Sequence, residues 1–324
     1  MILSTEPLPT KVKCSLEEPA IIKVQYETEC KDDPYVLGCV SFELPLQETQ
    51  AYPAVPLKQL SARSVVEVWR GRRPVIRDRL GDLHYSHNGE LLFGFLKKPG
   101  MAIESSAKQA YNDIVQAAQQ LGYPHLVRVW HFFPAINERV KKDERYHAFN
   151  KGRHSALLKN HCLALERLPA ATAIGTQDGD LLIYFIASQS PGVSYENPRQ
   201  VSAYHYPDRY GPKSPSFSRA IAINEEILFI SGTASIKGHE SKHPDDLVSQ
   251  FKETLKNLTT IIENSGFNEA RSKTWKVYLR DPSLRDALLQ LTRYLKTDPE
   301  HILLIQGDVC RTDLMIEIEG CLSI

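Results

Sequence analysis

The sequence predicts an α+β chain built from two similar halves, each a mixed sheet with two helices packed on one face. Three observations carry this reading. One order of elements (strand, helix, strand, helix, strand, strand) occurs twice. The helical stretches place apolar residues on one face. The apolar runs, such as "ILFI" and "ILLI", have the length of strands and not of membrane spans.

The elements follow in order. Residues 1–60 read as an irregular leader, rich in Pro and Thr, partly paired to a sheet through "AIIKVQYE" and "YVLGCVSFEL". Residues 61–198 form the first half. There the strand "GELLFGFL" precedes a helix with Ala107, Tyr111, Ile114 and Ala118 at helical spacing and Gly122 as its stop. "HLVRVWHFFP" is a strand broken by Pro134; the helix "RYHAFNKGRHSALLKN" and the strands "ATAIGTQ" and "DLLIYFIA" follow. Residues 199–324 repeat the order. "EEILFISGTAS" leads into a helix with Leu247, Phe251, Leu255, Leu258 and Ile262 on one face and Gly266 as stop. "SKTWKVYLRDP" again has a Trp near its centre and a Pro after it, before "SLRDALLQLTRYL", "HILLIQGD" and "DLMIEIEG".

The 324 residues suit two domains of ordinary size. Basic and acidic side chains balance at 39 each, so a general attraction to nucleic acid or anionic membrane lacks its driving force. The start, "MILSTEPLPTKVKC", has acids and prolines where a signal peptide needs a continuous apolar stretch. The chain's six cysteines form no C-x-x-C pair and read as reduced thiols. A cytoplasmic protein with no nucleic-acid or membrane partner is expected.

"GHESKHP" contains His239, Glu240 and His243 in the order H-E-x-x-H of zinc proteases. That chemistry needs both histidines on one helical face, and Gly238 before and Pro244 after oppose a helix. The segment is expected to be a solvated loop, with Pro244, Asp245 and Asp246 suited to the first turn of the next helix. No metal is expected.

In the second half "FISGTAS", "SQFKETLKNL", "KVYLRDP" and "MIEIEG" stand in order across roughly Tyr210 to Cys321 and resemble the Rid/YjgF family. Joined to "RVWHFFPAINE", "ERYHAFNKGRHSAL", "LPAATAIG" and "ENPRQVSAYHYPDRYGPKSPSFSRA", they resemble the chorismatase family from about Val65 to the C-terminus. The resemblance implies two Rid/YjgF-like (chorismate-mutase-like) halves, one site in the C-terminal half, chorismate as substrate and no cofactor or metal.

Chorismate carries two carboxylates, and the planar fork of arginine pairs with a carboxylate through two hydrogen bonds. At ~4 Å and an effective dielectric near 20, one such pair gains roughly 4 kcal/mol before desolvation. The resemblance assigns these roles to Arg153 in "FNKGRHSA" and Arg219 in "SPSFSRA". Taken alone, each would read as a solvated surface charge. Tyr146, Phe149, Asn150 and Tyr210 share these motifs; for each, packing and substrate contact are both open readings.

Glu317 matches the family's catalytic acid, which protonates the enol ether carbon and must hold its proton near neutral pH by burial. Glu319 lies on the same strand face, and repulsion between the two would push one pKa upward; its own role stays open. Ala234 and Cys310 match two positions that separate product types. Hydrolases carry Ala and an aliphatic residue there, and 3-hydroxybenzoate formers carry Gly and Cys. The mixed pair resembles the bifunctional branch of xanthomonads, which forms 3- and 4-hydroxybenzoate with pyruvate for pigment and ubiquinone synthesis. Cys310 taken alone reads as a small buried apolar residue. Strand parity sets Cys310 and Glu317 on opposite faces, so "GDVCRTD" must turn between them. The alternatives are a chorismate hydrolase, a Rid-like imine or enamine deaminase, and a metabolite-binding module without catalysis.

Overall fold

The computed structural model describes residues 20–43, 52–140, 143–163 and 168–324. The opening stretch with Cys14, and the last residue of "YVLGCVSFEL", lie outside them. Strands β1 (Ile22–Glu27), β2 (Val36–Phe42), β3 (Ala54–Val55) and β4 (Val66–Gly71) form one sheet in the order β1-β4-β2-β3. This sheet draws its second strand from beyond residue 60.

The first half contains β5 (Ile76–Leu80), β6 (Leu83–His87), β7 (Leu91–Lys98), α1 (Ile103–Gln120), β8 (His125–Pro134), the ribbon β9 (Arg139–Val140) and β10 (Asp143–Glu144), α2 (Arg145–Lys159), β11 (Ala170–Thr176) and β12 (Leu181–Ser188). The second contains β13 (Val193–Tyr195), β14 (Ala220–Ile223), β15 (Ile227–Thr233), the ribbon β16 (Ile236–Lys237) and β17 (Glu240–Ser241), α3 (Leu247–Ser265), β18 (Ser272–Leu279), α4 (Arg285–Thr292), β19 (Ile302–Gln306) and β20 (Ile316–Ser323).

The two large sheets have one topology: β5-β6-β7-β12-β8-β11 and β13-β14-β15-β20-β18-β19. Each contains a single parallel pair, β8 with β11 and β18 with β19, joined through α2 and α4. A parallel pair needs such a crossover, and helices supply it here on one face of each sheet. Ala107, Tyr111, Ile114 and Ala118 of α1 are buried against the first sheet, and Leu247, Phe251 and Leu258 of α3 against the second. The helices stop where expected, with Gly122 and Gly266 at φ of +83° and +78°.

The opposite faces of both sheets meet each other and the four-stranded sheet. Trp69, Phe93, Trp130, Tyr184, Phe229 and Tyr278 form this central layer. The two Trp residues that suggested the repeat face different ways: Trp130 lies in the central layer, whereas Trp275 packs under the helices of the second half.

The H-E-x-x-H segment is a hairpin. β16 and β17 pair around Gly238, whose φ is +62°, and His243 has a φ of +60°. The two histidines therefore share no helical face. One detail is corrected: the helix starts at Leu247, after Pro244 and Asp245. Asp245 has a φ of +58°, outside helical space, and the Asp246 side chain caps the helix by accepting from the Ser249 N–H at 3.0 Å. Among the described residues no helix is long and apolar enough to cross a membrane.

Candidate active site

Alternation along β20 builds the site. Ile316 and Ile318 pack under the helices, so Glu317 and Glu319 point into the layer between the sheets. Glu317 reaches the wall of a cavity of about 290 Å³. β15 and the segment after it bring Gly232 and Ala234; the residue before β14 is Arg219; the loop joining β19 to β20 brings Cys310 and Arg311. Tyr206 and Tyr210 come from short 3₁₀ turns, and Tyr146 from the first turn of α2 in the other half. Phe217, Arg209, Glu144 and Asp313 complete much of the lining.

Of the residues singled out in the sequence, Glu317, Cys310, Arg219, Tyr146, Tyr210 and Ala234 line this cavity. Phe149, Asn150 and Arg153 do not. They follow Tyr146 by three, four and seven residues on the same face of α2, and the helix carries that face from the cavity into the buried layer behind it. Arg153 is 2% exposed, donates to Asn150 Oδ1 at 2.9 Å and stacks on Phe149 with 5.3 Å to the ring centroid.

Arg153, Arg219 and Arg311 are held by neutral partners. Arg219 donates to the Tyr206 hydroxyl at 2.8 Å and the Val201 carbonyl at 3.0 Å. Arg311 donates to the His239 carbonyl at 2.9 Å and lies over the Tyr210 ring at 4.0 Å. Among the described residues, Arg153, Arg219 and Arg311 form no ion pair with a carboxylate, whereas Arg209 pairs with Glu240 at 3.4 Å. Buried guanidinium Nε atoms of Arg153 and Arg219 have no hydrogen-bond partner. Cations buried in this state favour an anionic ligand. His239 and Glu240 thus hold the cavity's rim through Arg209 and Arg311.

The two carboxyls of β20 are driven apart. Burial, then the negative charge of Glu319, pushes Glu317 up to about 8. Burial alone would raise Glu319 as well, but Lys276 at 2.8 Å and Arg128 at 2.7 Å hold it below its ordinary value. It also accepts from Trp130 Nε1 at 2.7 Å and from the Thr172 hydroxyl. One carboxyl is a proton donor at neutral pH and its neighbour a fixed charge. Burial and the nearness of Glu317 push the Cys310 thiol up to about 12, so it is neutral.

The turn required between Cys310 and Glu317 is present: β19 ends at Gln306 and β20 begins at Ile316, and between them the Leu314 N–H closes a turn on the Arg311 carbonyl at 3.2 Å. Among the lining residues that the sequence reading did not single out, three bear on the acid and the cations. Arg311 adjoins Cys310 and Tyr206 lies four residues before Tyr210, so position beside a chosen residue was the signal available. Gly232 stood inside the quoted "SGT": a Cβ there would lie 1.9 Å from Glu317 Oε1, so the carboxyl packs directly on the strand backbone.

Similarity to known proteins agrees with this geometry. Residues 67–187 match the family model described as chorismatase FkbO/Hyg5-like, N-terminal. A 3-hydroxybenzoate synthase of Streptomyces hygroscopicus is 33% identical over 312 residues, covering 88% of this chain and 91% of the relative. A chorismatase of Streptomyces rapamycinicus is 31% identical over 277 residues, covering 80% and 83%. A chorismatase crystal structure at 1.08 Å resolution superposes with a TM-score of 0.83 at 28% identity, covering 94% of this chain and 99% of that one. The two large sheets share one strand order, the duplication that the repeated order of elements led us to expect. The chain belongs to the chorismatase FkbO/Hyg5-like family.

Proposed function

We propose that this protein converts chorismate to 3-hydroxybenzoate and 4-hydroxybenzoate with release of pyruvate, without a cofactor or metal, as in the bifunctional branch of xanthomonads. The observation that carries the reading is the buried carboxyl of Glu317, protonated up to about pH 8, on the wall of a cavity with two guanidiniums that lack carboxylate partners. The relatives named 3-hydroxybenzoate synthase and chorismatase support the substrate. Ala234 and Cys310, which pack in one apolar cluster, support the mixed product.

Glu317 donates its proton to the terminal methylene carbon of the enolpyruvyl ether, giving an oxocarbenium ion. The ring hydroxyl attacks the neighbouring carbon, the ring C–O bond breaks and pyruvate leaves. The hydroxyl's proton returns to Glu317, and the arene oxide opens to 3-hydroxybenzoate. Each hydroxybenzoate plus pyruvate holds all the atoms of chorismate, so no redox partner is needed. The 4-isomer arises by a different elimination in the same cavity. Arg219 takes one carboxylate on the cavity wall and Arg153 attracts the other from one layer behind; Tyr146 and Tyr210 stand beside the ring, with Asn150 and Phe149 behind them. In this reading residues 199–324 are the catalytic domain, 61–198 its Rid-like companion and 1–60 a leader, and the products supply pigment and ubiquinone synthesis. Ala234 favours a second reading, in which one water is added and a dihydroxycyclohexadiene carboxylate leaves.

The test is incubation of the purified, chelator-treated and desalted protein with chorismate alone, read by chromatography. Both hydroxybenzoates with pyruvate are expected. The dihydroxy acid alone would establish the second reading. Untouched chorismate, with ammonia released in a parallel incubation with an imine, would return a Rid-like deaminase and overturn both.

A further inference from the structure

From Gly307 to Met315 the loop carrying Cys310 and Arg311 belongs to neither flanking strand, and it has a single isolated bridge, from Asp308 to Gly175. Arg280, just after β18, supplies its shape. All five of its side-chain N–H groups are used. Nε donates to the Leu314 carbonyl at 3.0 Å. Nη2 donates to the carbonyls of Val309 at 2.8 Å and Arg311 at 2.9 Å, on either side of Cys310. Nη1 donates to Asp308 Oδ1 at 2.9 Å and to Asn137 Oδ1, in the first half of the chain, at 3.1 Å. The first half grips the loop at a second point, where Gly175 and Asp308 exchange backbone hydrogen bonds of 2.8 and 3.0 Å. Arg280 is absent from the cavity lining, so it acts through the loop and not on the ligand.

We propose that Arg280 is a positioning residue. It fixes the 307–315 loop in the shape that sets the Cys310 thiol and the Arg311 guanidinium on the cavity wall, and Asn137 couples that shape to the first half. A planar fork can satisfy three carbonyls and two side chains at once; a lysine ammonium keeps the charge and cannot. The consequence for product choice rests on the chorismate reading above.

The experiment compares wild type, Arg280→Lys, Asn137→Ala and the double variant. Two readouts are taken: products from chorismate, and the alkylation rate of Cys310 resolved by peptide mapping, with Cys162 as internal reference. Thermal melts establish folding, and Asn137→Ala, at a half-buried side chain, is the milder change. Arg280→Lys is expected to lower the share of 3-hydroxybenzoate among ring products and to raise KM as Arg311 shifts. It should also speed Cys310 alkylation several-fold with Cys162 unchanged. Asn137→Ala should move every readout the same way by less, and the double variant should fall short of the sum. Wild-type product shares, KM and Cys310 alkylation in folded Arg280→Lys would overturn the proposal. If wild type leaves chorismate untouched, the chorismate reading fails and the alkylation arm alone decides the role of Arg280.

Discussion

Glu317 is costly to the fold and useful to the site. An unfolded glutamate loses its proton near pH 4.5, whereas Glu317 keeps it to about pH 8. Below pH 4.5 both states are protonated and nothing is lost. Between the two values the folded state forgoes ionisation, so stability falls as pH rises, and above about 8 the loss is constant. Glu317→Gln should therefore match wild type near pH 4 and exceed it at pH 8 by on the order of a few kcal/mol, as read by chemical denaturation at both pH values. The same proton predicts that wild-type kcat is level near neutrality and declines above about pH 8. Gly232 makes a sharper test of geometry. Gly232→Ala places a methyl where Glu317 Oε1 sits, and displacing the acid should cut kcat by ~10²-fold with the fold intact. A wild-type kcat would show that the acid has room to spare. Arg219→Ala should weaken chorismate binding by ~1.5–3 kcal/mol, and Arg153→Ala, one layer behind, by less, both measured by titration. At this scale the sequence was legible where a residue type is tied to a motif, as for Glu317, Arg219, Cys310 and Ala234. It was silent on Arg311, whose alignment depends on a loop with no periodicity, and on the depth at which α2 sets Arg153.

Among the elements, β20 was the most legible. The alternation in "MIEIEG" fixes that both glutamates share a face, and the burial of both isoleucines under the helices decides which face that is. The helices α1 and α3 were equally plain, since their apolar residues recur at helical spacing and their glycine stops adopt positive φ. The hairpin of β5 and β6 escaped notice because "IRDRL" is exposed along its whole length and carries no buried alternation. "GHESKHP" shows why a motif needs its context. The positive φ at Gly238 and at His243 builds a hairpin, and a hairpin cannot set two histidines one helical turn apart.

For the molecule as a whole, the order of elements announced the duplication, and the shared strand order of the two sheets is its counterpart in three dimensions. What local pattern cannot announce is how the sheets meet. Lys276 pairs with Glu67 at 3.0 Å across 209 residues, and Arg128 with Glu319 across 191. No period in the chain encodes such a pairing. Lys276, 3% exposed, also donates to the Tyr184 hydroxyl at 2.7 Å and so joins the four-stranded sheet to both halves. Lys276→Met leaves Glu67 and Glu319 buried with too little positive charge and should destabilise the protein by ~3–5 kcal/mol. Adding Glu67→Gln should restore part of that loss, and a melt of Lys276→Met at the wild-type temperature would dissolve the network's structural role.

The chemistry proposed for the whole molecule converges on one proton. The most direct measurement is the turnover of chorismate by Glu317→Gln, with affinity for chorismate determined on the same sample by titration. The amide keeps the shape of the acid and its place on Gly232 but has no proton to give the enolpyruvyl carbon. Binding within a fewfold of wild type, with kcat lowered by ~10²-fold or more, is the predicted result. Turnover at the wild-type rate would contradict the account and remove Glu317 from the mechanism.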